Sequence, residues 1–199
     1  MKQDIILAGV GGQGILSIAT VIGSAALEQG LHLKQAEVHG MSQRGGDVQS
    51  NLRLSSDPIH SDLIPRGAAD LVVSLEPMEA LRYIPWLSKE GWIITNTTPF
   101  VNIPNYPGTE AIGAALKGAG NVIAVNADEI AKSILSPRSA NMVLLGAMAA
   151  VLKGKVNAIL VTGGIAYGKG MMADLASYVD WIAPVKIYPG EDEMGALAH

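Results

Sequence analysis

A chain of 199 residues, 49% of them hydrophobic, is long and apolar enough for one domain with a real core, which excludes a disordered chain. Its net charge of -4 leaves no basic footprint for DNA or RNA, so no nucleic-acid partner is expected. With no cysteine it can hold neither a disulfide nor a cysteine-ligated iron-sulfur cluster, and any electron transfer has to run through a partner.

The start, Met1-Lys2-Gln3-Asp4, does not read as a signal peptide. The longest apolar stretch, Met142–Leu152, is too short to span a bilayer. The expectation is a cytoplasmic protein with no membrane partner. Aromatics are scarce, with Phe100 the sole phenylalanine, and 23 glycines suit closely packed strands and helices.

In chain order, Asp4–Gly9 reads as a buried first strand, with Ile5, Ile6 and Leu7 in succession. The turn Gly9-Val10-Gly11-Gly12-Gln13-Gly14 leads into a helix over Ile15–Gln29, with apolar residues at helical spacing and Gly30 as its C-cap. Leu31–Val38 predicts a second strand and Asp47–Leu54 a third, with Ser55, Asp57 and Pro58 in a turn. Leu71–Leu75 predicts a strand, Glu76–Leu87 a helix with Pro77 in its first turn, and Trp92–Thr95 another strand. Thr97–Gly108, with Pro99, Pro104 and Pro107, predicts a loop. Asn121–Val125 predicts a strand, Ala127–Leu135 a helix started by Asn126 or Asp128, and Arg138–Leu152 a buried apolar helix. Strands alternating with helices imply an α/β fold: a Rossmann-like, mostly parallel sheet with helices on both faces.

Gly9, Gly11 and Gly14 satisfy G-x-G-x-x-G between a strand and a helix. Two readings are open. Glycine backbone lets a phosphate approach the amides of a helix N-terminus, and Glu37 follows at the spacing of a ribose-binding acid, which would suit NAD. Alternatively, the glycines serve only tight strand-helix packing.

The second candidate is His39-Gly40-Met41-Ser42-Gln43-Arg44-Gly45-Gly46, just past a strand end, where open α/β sheets collect ligands and partners. Gly40, Gly45 and Gly46 permit unusual backbone angles, Arg44 offers a fork of donors for carboxylate or phosphate, and His39 and Ser42 can hydrogen-bond. The competing reading is a solvated loop in which Arg44 pairs with Glu37 or Asp47. Glu76 and Glu79 share one helix face and are expected to be a solvated helix start, since acids favour the first turn. No catalytic residue and no metal ligand stands out.

The glycine turn and the His39–Gly46 run together resemble the small, gamma-type subunits of 2-oxoacid:ferredoxin oxidoreductases, most closely the beta subunits of indolepyruvate:ferredoxin oxidoreductases. Ala69–Ala80, Asn96-Thr97 and Ser139–Gly146 extend the resemblance over about residues 1–146. The Gly12-Gln13 pair fits this family better than an NAD fingerprint. The resemblance implies a subunit inactive alone, whose large (alpha) subunit carries thiamine diphosphate and iron-sulfur clusters and passes electrons to ferredoxin. It also implies that His39–Gly46 lies against that subunit near its active site, with a role in holding coenzyme A at the interface left open. Pyruvate, 2-oxoglutarate and branched-chain 2-oxoacids stand as alternative substrates.

Residues 147–199 depart from that family and resemble the C-terminal end of butyrate kinase, an acyl kinase, with the join at Gly146-Ala147. Ala158–Val161 predicts a strand, Gly163-Gly164 a tight turn, Met171–Ile182 a helix and Pro184–Tyr188 a strand, a βαβ-like tail in which Leu160, Trp181 and Ile187 would be buried. The phosphate-binding loops and acyl-site residues of such a kinase do not precede it, so no kinase activity is expected. A chimera between neighbouring genes is the working explanation, with a genuine recent gene fusion and an error in assembling the sequence as the alternatives. The other classes in play are a stand-alone Rossmann nucleotide-binding protein and an inactive remnant.

Overall fold

The computed structural model describes residues 1–40, 45–151, 159–163 and 185–189. The elements are β1 (Lys2–Val10), α1 (Ile15–Glu28), β2 (His32–His39), β3 (Asp47–Ser55), β4 (Ala69–Ser74), α2 (Pro77–Arg82), β5 (Leu87–Asn96), α3 (Thr109–Gly118), β6 (Asn121–Val125), α4 (Ala127–Ser133), α5 (Ala140–Val151), β7 (Ile159–Gly163) and β8 (Val185–Pro189), with a 3-10 turn at Ile84–Trp86.

Six strands form one sheet in the order β2-β3-β1-β4-β5-β6, and β7 pairs with β8 in a separate parallel pair. The pairings β1-β4, β4-β5 and β5-β6 are parallel. Strand β3 is antiparallel to both neighbours, β1 and β2. The sheet is thus mostly parallel with one reversed strand, and the α/β expectation holds.

Strand β1 is central, and its side chains alternate between two cores. Ile5 and Leu7 join Ile18, Leu71, Val73 and Leu144 on the face of α1 and α5. Ile6 and Ala8 join Val72, Ala80, Ile93 and Ile112 on the face of α2 and α3. Burial on both faces is why β1 reads as an unbroken apolar run.

Several boundaries differ from expectation. The helix expected over Glu76–Leu87 stops at Arg82, because Pro85 lacks an N–H and disfavours helical backbone at Ile84, and a 3-10 turn follows. Strand β5 begins at Leu87, five residues before the expected Trp92. Helix α3 was not anticipated; Ile112 and Leu116, one turn apart, are its buried stripe. Helix α4 ends at Ser133, with Asn126 as the cap that accepts Glu129 N–H, and Leu135 beyond it has a φ of 58°. Helix α5 begins at Ala140. Helix α1 closes as expected at Gly30, whose N–H donates to the Leu27 carbonyl while Leu31 N–H returns to Ala26. The expected Met171–Ile182 helix, the Gly164 half of the tail's turn and the burial of Leu160, Trp181 and Ile187 lie outside the described residues. Among the described residues no helix is long and apolar enough to cross a membrane.

Candidate functional site

Helix α1 leaves β1 on one face of the sheet and α2 leaves β4 on the other. The carboxyl ends of these adjacent strands therefore form the topological switch point, where such sheets open a crevice. Gly9–Gly14 lines one side of it and Leu75–Pro77 the other.

Gln13 spans the crevice. Its Oε1 accepts the Val10 N–H at 2.8 Å and its Nε2 donates to the Leu75 carbonyl at 3.3 Å. Gly9 leaves the space for this: a Cβ there would lie 2.8 Å from Gln13 Oε1 and 2.9 Å from Ile15 Cδ1. Gly14 takes the N-cap position of α1 in the left-handed region, at φ 83°, with no side-chain cap on the helix. A Cβ on Gly14 would lie 2.6 Å from Nδ2 of Asn141, which donates to the Gly14 carbonyl at 3.3 Å. This contact ties the start of α5 to the turn, and it was not anticipated.

The reversal of β3 makes β2 and β3 a hairpin whose end falls on the same edge, since Val10 pairs with Asp47 and His39 with Val48. Gly46 accepts the Gly11 N–H at 2.8 Å, so the hairpin end touches the glycine turn. Gly45 accepts from Nδ2 of Asn102 at 2.7 Å, so it also touches the 97–108 loop. His39 is exposed, with Nδ1 3.3 Å from the Gly40 carbonyl oxygen. The candidates Met41, Ser42, Gln43 and Arg44 lie outside the described residues, and with them the Arg44 pairings weighed above. Glu37 stands on the edge strand β2, separated from β1 by β3, and accepts from Gln35 Nε2 at 2.7 Å. The inserted β3 takes the place beside β1 from which a ribose-binding acid would serve the turn.

Glu76 and Glu79 are not a solvated helix start. Their exposures are 0% and 1%. Glu76 caps α2, with Oε2 accepting the Glu79 N–H at 2.8 Å. Its Oε1 accepts the Phe100 N–H at 3.3 Å and the Tyr106 hydroxyl. The loop folding back from beyond β5 thus reaches over Glu76. Glu79 Oε2 lies 2.8 Å from Nε of Arg82. Burial pushes the Glu79 carboxyl above its usual range; Arg82 opposes this, and the charges of Glu76 and Asp47 add to it. Burial, reinforced by Glu79 and Asp47, raises the Tyr83 phenol to about 12. Among the described residues, Glu76, Glu79 and Asp47 thus bring acidic groups together at this edge.

Asn96, at the end of β5, completes the edge. Its Nδ2 donates to Asp128 Oδ2 at 2.7 Å and its Oδ1 accepts the Ala127 N–H at 3.1 Å, which seats α4. Phe100, Val101 and Ile103 leave apolar side chains exposed on the 97–108 loop. Beside that loop an open cleft of about 550 Å³ runs between Pro77, Pro99, Ile112, Leu116 and Val122. Among the described residues no group of three or more His, Cys, Asp or Glu is placed to hold a metal ion.

This architecture has clear relatives. The model of the pyruvate ferredoxin/flavodoxin oxidoreductase family matches residues 4–167. The indolepyruvate oxidoreductase subunit IorB of Methanothermobacter thermautotrophicus is 42% identical over 157 residues, covering 75% of this chain and 79% of that protein. The Archaeoglobus fulgidus IorB is 40% identical, covering 73% and 75%. The C-terminal region matches a probable butyrate kinase of Clostridium botulinum at 63% identity over 54 residues, 27% of this chain and 15% of the kinase. Among solved structures, pyruvate oxidoreductase subunit PORC of Thermotoga maritima superposes with a TM-score of 0.59 at 22% identity, covering 76% of this chain and 77% of that one. The keto/oxoacid ferredoxin oxidoreductase gamma subunit of Geobacter sulfurreducens gives 0.55 at 24%, covering 88% and 85%. The sheet that carries this edge is thus shared with oxidoreductase subunits, and the chain belongs to the pyruvate ferredoxin/flavodoxin oxidoreductase family.

Proposed function

We propose that this chain is the small subunit of an indolepyruvate:ferredoxin oxidoreductase, acting in the cytoplasm and only together with a large subunit. The similarity to IorB over three-quarters of the chain carries this reading. The site agrees with it. The described residues of the edge bring together backbone, amides and buried acids, without a nucleophile-base pair of their own, as suits a subunit that completes another's active site.

The reaction proposed for the complex is the oxidative decarboxylation of an aryl 2-oxoacid. The carbon-carboxyl bond breaks to release carbon dioxide, coenzyme A takes the acyl group as a thioester, and two electrons pass to ferredoxin. Thiamine diphosphate, assigned to the large subunit, would supply the electron sink for decarboxylation, and the clusters are assigned there too, since this chain has no cysteine to ligate one. The described residues do not suit the phosphates of coenzyme A alone. Asp47, Glu76 and Glu79 make the edge acidic, and Arg82 is engaged by Glu79. We therefore assign this chain a share of an interface: the Gly9–Gly14 turn as a backbone surface and the His39–Gly46 segment as the contact with the large subunit.

Residues 147–199 we read as a butyrate-kinase-derived segment joined at Gly146-Ala147, without kinase activity, because only 15% of such a kinase is represented.

The test is anaerobic co-expression with the matching large subunit, assayed by viologen reduction that depends on indolepyruvate and coenzyme A. Turnover that requires this chain is expected. Turnover with pyruvate, 2-oxoglutarate or a branched-chain 2-oxoacid in its place would reassign the substrate. A folded chain that neither binds nor activates the large subunit would refute the proposal and leave a remnant.

A further inference from the structure

A helix cap needs one acceptor oxygen, and an exposed Ser, Asn or Asp supplies it without the desolvation cost of burying a carboxylate. At the start of α2 the chain uses a fully buried Glu76 instead. Its second oxygen accounts for the choice. Phe100 N–H and Tyr106 O–H, near the two ends of the 97–108 loop, converge on the same Oε1. The loop has no regular secondary structure of its own and is largely exposed; Thr97 N–H on the Val125 carbonyl and Thr98 beside Asn126 hold its start, and these two bonds on Glu76 hold the stretch beyond. Between them, Asn102 donates to the Gly45 carbonyl at 2.7 Å. The next carbonyl, that of Gly46, is held from the other side by Gly11 N–H at 2.8 Å.

We infer that Glu76 is a positioning residue: through Tyr106, Phe100 and Asn102 it fixes the Gly45–Gly46 hairpin end against the glycine turn. The functional half of this inference rests on the reading above that this edge meets the large subunit. The chemistry follows from geometry. Gly45 and Gly46 have no side chains to anchor them, so beyond the ladder that begins at Asp47 their carbonyls are held by the donors that reach them. One of those donors hangs from a loop pinned to a buried carboxylate. Removing either pin loosens the hairpin end and leaves the Gly11 bond to Gly46 to hold it alone, without touching the sheet.

The variants are Y106F and N102A, separately and together. Both leave the Glu76 cap on Glu79 N–H in place. In the isolated full-length chain, exchange of the Gly11 amide, whose N–H donates to the Gly46 carbonyl, is expected to rise about tenfold in each, the scale of one lost hydrogen bond, while the centre of β1 keeps its protection. In the assembled complex, kcat is expected to fall by about tenfold in each, with normal co-purification, and the double variant is expected to fall little further, as members of one chain do. Unchanged exchange in both variants overturns the proposal. So does turnover that stays at the wild-type level in an active complex, or losses that simply multiply. Should exchange respond while the wild-type complex shows no oxidoreductase activity, the tether stands and the functional reading falls.

Discussion

Replacing Gln13 by alanine removes a side chain that bridges the crevice between β1 and β4. Its cost can be worked from the contacts. Val10 is 1% exposed, and its N–H bonds to Gln13 Oε1 at 2.8 Å. Stranding a buried donor costs about 1–3 kcal/mol. The second contact, Nε2 to the Leu75 carbonyl, is long at 3.3 Å, and that carbonyl keeps Asn96 Nδ2 at 3.4 Å, so little is lost there. The expected loss is about 2 kcal/mol, or a Tm lower by about 6 °C for a chain of this size. Urea unfolding of the wild type, Q13A and Q13N would measure it as a lower midpoint at constant slope. Asparagine keeps the amide but is one methylene shorter, so Q13N should lose nearly as much. A Q13A midpoint within about 0.5 kcal/mol of wild type, or a Q13N as stable as wild type, would refute the bridging role.

Other outcomes follow from neighbouring features. G14A should destabilise by about 1–3 kcal/mol in the same assay, from left-handed backbone and displacement of Asn141 together. Asp4 is buried, which pushes its carboxyl up, but bonds from Arg53 at 2.7 and 3.1 Å and the Lys2 ion pair outweigh this and hold it below 3.8. A depressed folded-state pKa contributes stability above the unfolded value that is lost as pH falls through the folded one, so D4N should flatten the stability curve below about pH 4, and an unchanged curve would count against the assignment. R53M removes both Arg53 bonds and leaves that carboxylate the exposed Lys2 alone at near-neutral pH, so it should cost about 3 kcal/mol by denaturant unfolding. Titration with NAD should give no saturable binding by calorimetry, because Glu37 is a strand removed from β1 and Gly11 N–H is committed to Gly46.

How far the sequence could be read depended on how local each determinant was. Strand β6 matches its expected bounds because Asn121 and Asn126 flank a β-branched run, and β1 shows itself by burial on both faces. The glycine turn and the hairpin loop were legible as motifs, but their meeting at Gly46 depends on β3 running antiparallel, and its imperfect alternation gave no direction. Helix α3 was hidden behind a proline-rich loop and its own Gly113 and Gly118, although the Ile112/Leu116 pair was there to be read. The acids were misjudged for a plainer reason. The groups that bury Glu76 come from Phe100 and Tyr106, 24 and 30 residues further on, and nothing near Glu76 announces them.

Placing the first strand at the centre of the sheet has a consequence for biosynthesis. Ile5, Ile6, Leu7 and Ala8 leave the ribosome before any strand that will flank them. Their neighbours are Gln49–Leu52 on one side and Leu71–Ser74 on the other. At ordinary elongation rates the wait for the second neighbour is roughly 3–13 seconds. Through that interval a short apolar, β-prone segment is free to pair with other chains. The nascent protein should therefore be most dependent on chaperones before residue 74 has cleared the exit tunnel, whatever the fate of the distant tail.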